Sequence, residues 1–441
     1  MGERMWPPFG SRERGRERGR SWRRSAGAIA LAVVSLMAVG FAVPAARGLL
    51  DNEPDQPDRL IRGDSWERLP RPPANEVLPG PDLGSAVWTG RELVLLAEFA
   101  YSPPIPSGRP PDGLAYNPAT GRWRALPEPP PDQSATVGRQ GAVWTGKEVI
   151  LLYATGAPIA YDPDANTWRR LAHPPNGFIS HAADPAPIWT GAEVLVWDGS
   201  NIDDTSGKWI DGGRGAAYNP ATDRWRQLPR SPLSNRTGAI QAWTGKQLLV
   251  IAGSCGGEGR LRCQDGSAYD PAANTWTPIP ALVGGALAPE AAAWTGSELV
   301  VWSATTSRDG RSTSNAARAY NPRTRRWRTL PPAPITPRRL AAAVWAGDRL
   351  LVWGGMRNLS DTRLAYPDDG AVYHPRSNRW RQLAKAPVPG RASPLTVWTG
   401  DRAIFIGGLN LGDQVRMDRG SITAIAEQGA AYHPAGVRTG G

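Results

Sequence analysis

The sequence predicts an all-β chain folded as a seven-bladed β-propeller of four-stranded antiparallel blades, preceded by one N-terminal hydrophobic helix. Three observations lead there. Gly 50 and Pro 44 among 441 residues disfavour a mostly helical protein, while 40 % hydrophobic and 21 % charged residues suit a globular chain rather than a disordered one. Twenty Trp against five Phe and five Met is an imbalance that needs a structural cause. The third is internal repetition, with three markers that each occur seven times. A small-residue run ends in Trp and a turn at Trp88, Trp144, Trp189, Trp243, Trp294, Trp345 and Trp398. Tyr-x-Pro recurs from Tyr116 to Tyr432, and Trp-x-x-Leu (once Ile) from Trp66 to Trp380. Tyr precedes its Trp by seven residues in every uninterrupted copy, whereas successive Trp-Thr-Gly turns are 45 to 56 apart. Rigid strands joined by free loops produce that pattern.

Within a unit, Gly141-Ala142-Val143-Trp144 reads as a first strand of small residues beside a crowded axis, and Thr145-Gly146 as a tight turn. Val149–Tyr153 is an unbroken apolar run, which suits a strand buried on both faces. A third strand ends at Tyr161, Asp162-Pro163 turns the chain, and a fourth runs from Trp168 to Leu171 before the prolines that follow. Four such strands per unit around an axis make a propeller, and the repeated Trp are expected to fill the wedges between blades. The last unit lacks its fourth strand, since position 439 is Thr, while Trp66-Glu67-Arg68-Leu69 has no unit before it. The N-terminal strand is therefore expected to complete the seventh blade. The domains follow: an Arg-rich arm over 1–25, the hydrophobic segment 26–43, a Pro- and acid-rich linker over 44–60, the propeller over 61–434 and a tail over 435–441.

The formal charge of +11 is not a nucleic-acid signature. Eight Arg against three Glu place +5 in residues 1–25, leaving +6 over the rest of the chain, and only four basic residues are Lys. No nucleic-acid partner is expected. Ala26–Val43 carries no charge and as a helix would rise about 27 Å, close to the hydrocarbon thickness of a bilayer. Positive charge before it and acids after it orient the arm to the cytoplasm and the rest outside. Two fates stay open: a single-pass anchor that holds the chain on the membrane, or cleavage near Val43-Pro44-Ala45 and secretion. Arg23-Arg24 is a faint hint of a twin-arginine signal. Outside the reducing cytosol, Cys255 and Cys263 are expected to form a structural disulfide across a Gly-rich loop. A redox-active pair is the alternative, without a Cys-x-x-Cys spacing to support it. Two Cys and four His leave little material for a metal centre, and neither metal nor cofactor is expected.

The Tyr-(Asn/Asp/His)-Pro turn, the Trp seven residues on, and the small and apolar strands that follow resemble the Kelch repeat and the propellers of the Kelch/galactose-oxidase class. The likeness spans about 61–434. The double Gly that ends the second strand survives at Gly354-Gly355 and Gly407-Gly408, with Gly253 as a remnant. The copper site of galactose oxidase does not carry over: the cysteines share one loop, and His374 and His433 stand in turn positions. The resemblance places ligands at the mouth formed by loops joining strand four to strand one and strand two to strand three. Both sets are long here, so function is expected on that face. The fourth-to-first loops bring Arg139, His181, Arg236, Glu290, Arg339 and Arg391 toward it. Arg forks suit carboxylates and phosphates, so these residues form a candidate anion site. The competing reading has such Arg tie loops together through backbone carbonyls. The second-to-third loops add acids, Asp369 among them, read as solvated loop charge. Three functions follow: a non-enzymatic extracytoplasmic module binding a protein or acidic glycan, a carbohydrate-active enzyme resembling Kelch-type sialic-acid mutarotases with Glu290 and His181 as acid/base groups, and an envelope scaffold. The propeller itself is expected to be monomeric.

Overall fold

Seven four-stranded antiparallel sheets are formed, and their strand order follows the repeats. The computed structural model describes residues 64–72, 83–97, 113–130, 139–153, 157–175, 186–199, 201–202, 209–210, 213–255, 261–282, 288–306, 312–360, 363–410 and 429–435. Blade 1 comprises Leu83–Trp88, Leu93–Ala97, Gly113–Asn117 and Arg122–Ala125, and blades 2 to 6 repeat that order. In blade 7, Leu395–Trp398, Ala403–Ile406 and Ala430–His433 are joined by Ser65–Arg68, which pairs Ser65 with His433 and Trp66 with Tyr432. No α-helix occurs among the described residues, and none of their elements is a helix long and apolar enough to cross a membrane. The hydrophobic segment 26–43 and the linker 44–60 lie outside the described residues.

The strand ending in Trp lies innermost in every blade and touches its counterpart in the next, with Leu83–Trp88 between Arg139–Trp144 and Leu395–Trp398. The second strands are the apolar runs the sequence indicates. Val149–Tyr153 and Arg349–Trp353 are buried along their whole length. One apolar cluster sits between each pair of neighbouring blades: Leu96 meets Leu151 between blades 1 and 2, and Leu95 meets Ile404 between blades 1 and 7. Each such Leu or Ile contributes about 1.5–3 kcal/mol by leaving water.

The repeated Trp line the wedges between blades as the sequence indicates, two of them in or against each inter-blade cluster. The three Trp among the largest fully buried side chains, Trp197, Trp302 and Trp353, lie in second strands outside the repeat positions, because that strand is covered on both faces. The outer-strand Trp are half-buried and act as staples. Each stacks on the Tyr opposite it in its own blade, as in the Tyr161–Trp168 pair with centroids 4.9 Å apart. Its indole N–H then donates to a carbonyl where the preceding blade ends: Trp123 to Pro70, Trp168 to Pro127, Trp225 to Ala172, and onward to Trp380 with Pro331 and Trp66 with Ala384, all at 2.8–2.9 Å. Where proline follows the outer strand, as at Pro70, Pro127 and Pro331, it offers a carbonyl to its neighbour while lacking an N–H to satisfy.

Candidate functional site

The two faces of the ring differ in how the chain turns. One face carries only short turns. Thr89 Oγ accepts the Glu92 amide at 3.0 Å and donates to the Glu92 carbonyl, and Gly90 supplies φ +93°. The other turn on this face is built by Asn117 Oδ1 accepting the Ala119 amide at 2.9 Å. A relay between blades runs along this face. The Glu that ends the Thr-Gly turn clamps an outer-strand Arg, which reaches the Tyr of the next blade: Arg124 donates to both oxygens of Glu92 and, at 2.9 Å, to the Tyr161 hydroxyl. Arg169 with Glu148, Arg226 with Glu193 and Arg328 with Glu298 repeat it. Hydrogen bonding to the carboxylate holds Arg169, Arg226 and Arg328 above their ordinary pKa, against the cost of burial.

At the junction of blades 6 and 7, Asp64 plays this part across 368 residues of chain. Its carboxylate accepts the Tyr432 hydroxyl and pairs with Arg381 at 2.7 Å. Burial alone would raise the Asp64 carboxyl, but hydrogen bonds from Tyr432, the Ala435 amide and Arg381 together with the Arg381 charge hold it below the usual range. Blade 7 itself reverses the charges. Glu67 follows Trp66 where blades 1, 2, 3, 5 and 6 have Arg, and Arg402 occupies the turn position of Glu92. Glu67 Oε2 lies 3.3 Å from His433 Nε2.

The opposite face carries the long crossovers. Three of them, entering blades 4, 6 and 7, are tied by an Arg two residues or more ahead of the inner strand. Arg236, with no exposed side-chain surface, donates Nε to the Ser234 carbonyl at 3.0 Å and Nη1 to the Ala252 carbonyl at 3.3 Å. Its fork grips Asp265, Nη1 to Oδ1 and Nη2 to Oδ2 at 3.1 Å each. Arg338, equally enclosed, donates to the Thr336 carbonyl at 2.9 Å, the Gly354 carbonyl at 3.2 Å and Asp369 Oδ1 at 2.7 Å. Arg391 is 1 % exposed and donates to the Gly408 carbonyl at 3.1 Å. The glycines of the surviving double-Gly motif belong to the same three blades. A Cβ on Gly355 would meet the Arg339 carbonyl at 2.7 Å and one on Gly408 the Ala392 carbonyl at 2.5 Å, so the crossover backbone packs where only glycine leaves room.

The six candidate residues therefore separate. Arg236 and Arg391 stand at the predicted face, but their guanidiniums turn into the blades and bind the protein's own carbonyls. The loop-tying reading fits both. Arg339 is half-buried at the mouth, its backbone paired with Met356. Arg139 opens the inner strand of blade 2 and Glu290 lies within that of blade 5, and their side chains fall outside the described residues, as does all of His181. Asp369, read as solvated charge, is instead the partner of Arg338. Sequence reasoning also passed over Arg338 and Asp265. The spacing Pro-(Leu/Ile/Val)-x-x-Arg at Pro232, Pro334 and Pro387 aligns Arg236, Arg338 and Arg391, and would have separated Arg338 from Arg339.

Cys255 and Cys263 border this face. Their sulfurs are 2.10 Å apart, and Cys255 pairs with Arg236 across a small three-stranded sheet. Among the described residues no group of three or more His, Cys, Asp and Glu could hold a metal ion.

No family model matches the chain. It is 33 % identical over 87 residues to the N-acetylneuraminate epimerase of Yersinia enterocolitica, covering 19 % of this chain and 22 % of that protein. It is 25 % identical over 212 residues to the Kelch-like protein terF of Aspergillus terreus, covering 46 % of this chain and 45 % of that protein. The chain thus spans less than half the length of either curated relative. Among solved structures it is similar to that of YjhT at 16 % identity and a TM-score of 0.46, over 60 % of this chain and 88 % of that one.

Proposed function

We propose that this chain, a Kelch-repeat β-propeller, is an extracytoplasmic binding module that recognises a protein or acidic glycan with its long-loop face. The observation that carries the reading is the asymmetry of the ring. One face is spent on short turns and blade-to-blade ion pairs, while the other gathers the long connections above a mouth framed by Arg-tied crossovers. Rigid crossovers set beside long loops make a platform on which side chains can be varied without disturbing the blades. Residues 26–43 would display the propeller outside the cell as an anchor, or release it after cleavage. The strand 65–68 would fasten the ring by joining its two distant chain ends.

A second reading, a carbohydrate-active enzyme, draws on the match to the N-acetylneuraminate epimerase. There Glu290 and His181 would supply acid and base, with Arg139 and Arg339 as clamps for a sugar carboxylate.

A glycan array probed with residues 59–441 tests both. The wild-type protein should retain acidic glycans, and Arg139→Ala or Arg339→Ala should weaken retention by about tenfold, the loss of one charge-assisted hydrogen-bond pair. Arg236→Ala is unsuitable as a probe, because it removes the partner of Asp265 inside the fold. A blank array would shift the assignment to a protein partner or an envelope scaffold. Acceleration of anomer exchange in sialic acid, lost in Glu290→Gln, would establish the enzymatic reading instead.

A further inference from the structure

The short-turn face is electrically lopsided. Its outer turns carry acids in blades 2, 3 and 4, at Asp162 with Asp164, Asp223, and Asp270. The corresponding turn of blade 5 carries Arg323, Arg325 and Arg326, and that of blade 6 carries Arg376 and Arg379, all five exposed. Blade 5 also departs from the fold's own preference. Asn166, Asp223, Asn274 and Asn378 occupy a left-handed turn position, and each accepts the hydroxyl of the blade's Tyr. Blade 5 places Arg325 there at φ +56°. A short amide side chain suits that conformation better than a long cation, and Arg325, while exposed, reaches back to blade 4, its Nη2 donating to the Pro278 carbonyl at 2.9 Å.

The polypeptide enters the ring at this same face. Asp64 donates its amide to the His433 carbonyl and pairs with Arg381 of blade 6, so the first described residue lies beside the Arg-rich sector. A coil of the length that separates Val43 from Asp64 would have a root-mean-square reach of about 25 Å.

We propose that the sector formed by Arg323, Arg325, Arg326, Arg376 and Arg379 docks on anionic phospholipid headgroups of the membrane in which residues 26–43 are embedded. The inference rests on the anchored reading of those residues. Guanidinium forks bind lipid phosphates bidentately, and several cations held in one plane near an anionic surface act together within a Debye length of about 8–10 Å. Docking would tip the short-turn face toward the bilayer and aim the long-loop face away from it.

The test uses the full chain reconstituted in vesicles of phosphatidylcholine alone or with phosphatidylglycerol. Flotation resistant to alkaline carbonate in both lipids reports the anchor independently, and its failure removes the anchored reading itself. Arginine labelling by phenylglyoxal, read by mass spectrometry, then reports the sector. Labelling of the five Arg should fall at least threefold in phosphatidylglycerol vesicles relative to Arg122 and Arg224, exposed at matching positions of blades 1 and 3. It should recover in 0.5 M salt, and the lipid dependence should vanish at the remaining sites in Arg323→Gln/Arg326→Gln/Arg379→Gln. Equal labelling in the two lipids overturns the proposal. So does protection by a soluble acidic polysaccharide but not by phosphatidylglycerol, which would assign the sector to a polymer.

Discussion

At the level of single residues, neighbouring side chains of the same type do different work. Arg338 has no exposed side-chain surface and is bound to Asp369 and two backbone carbonyls besides its own turn, whereas Arg339 is half-buried at the mouth. Arg338→Ala leaves Asp369 and the carbonyls unanswered and should cost about 3 kcal/mol. Arg339→Ala should change stability by about 0.5 kcal/mol or less. Chemical denaturation of the two variants measures the contrast, and equal losses would contradict the assignment. The histidines give a pH signature. Burial, then Arg402, holds His433 below its ordinary pKa, and burial, then Arg349, does the same to His374. Such a histidine binds fewer protons folded than unfolded. Its contribution is complete above about pH 6.5 and is lost as the pH falls toward the folded value. The lowered Asp64 keeps its contribution above about pH 4 and loses it below. Tm should therefore decline in two stages between pH 8 and pH 3. His433→Asn, matching Asn117 and Asn219, should shrink the upper stage. A Tm unchanged between pH 7 and pH 5 would count against this.

At the level of elements, the strand 65–68 joins more interactions than its length suggests. It supplies the outer edge of blade 7, the Trp66 indole that reaches the Ala384 carbonyl, the Asp64 carboxylate that meets Tyr432 and Arg381, and Leu69 in the cluster shared with blade 1. Removing residues 61–70 would expose one edge of Ala430–His433 and leave Trp123 without the Pro70 carbonyl. The expected result is loss of cooperative unfolding rather than a trimmed but intact domain. Differential scanning calorimetry should show a broad transition of reduced enthalpy, and a sharp transition near the wild-type Tm would refute it. Glu67 adds specificity. In blades 1, 2, 3 and 5 it would face the turn Glu that an Arg clamps, so the reversed pair of blade 7 disfavours misplacement of this strand there.

For the whole molecule, the number of blades, their four strands and the order of those strands were legible in the spacing of Trp, Tyr and Pro. Periodicity and turn chemistry are local, and rigid sheets preserve local spacing. The apolar runs of the second strands were legible for the same reason. The site was much less so. Arg236 and Arg391 could be placed on the correct face, yet a guanidinium aimed at solvent and one buried against a carbonyl are written with the same letter. Arg338 and Arg339 differ only in which of two adjacent side chains turns inward. The staples of outer-strand Trp to the Pro or Ala carbonyl that ends the preceding blade join residues some fifty positions apart in blades 1 and 3, and no pattern within one repeat displays them. The sequence by itself determined the repeat, the strands and the kind of ring they build, because backbone geometry and apolar patterning act over a few residues. Only the tertiary structure decided which charges are spent inside and which sector of the rim stays basic, because burial and pairing depend on what the neighbouring blade presents.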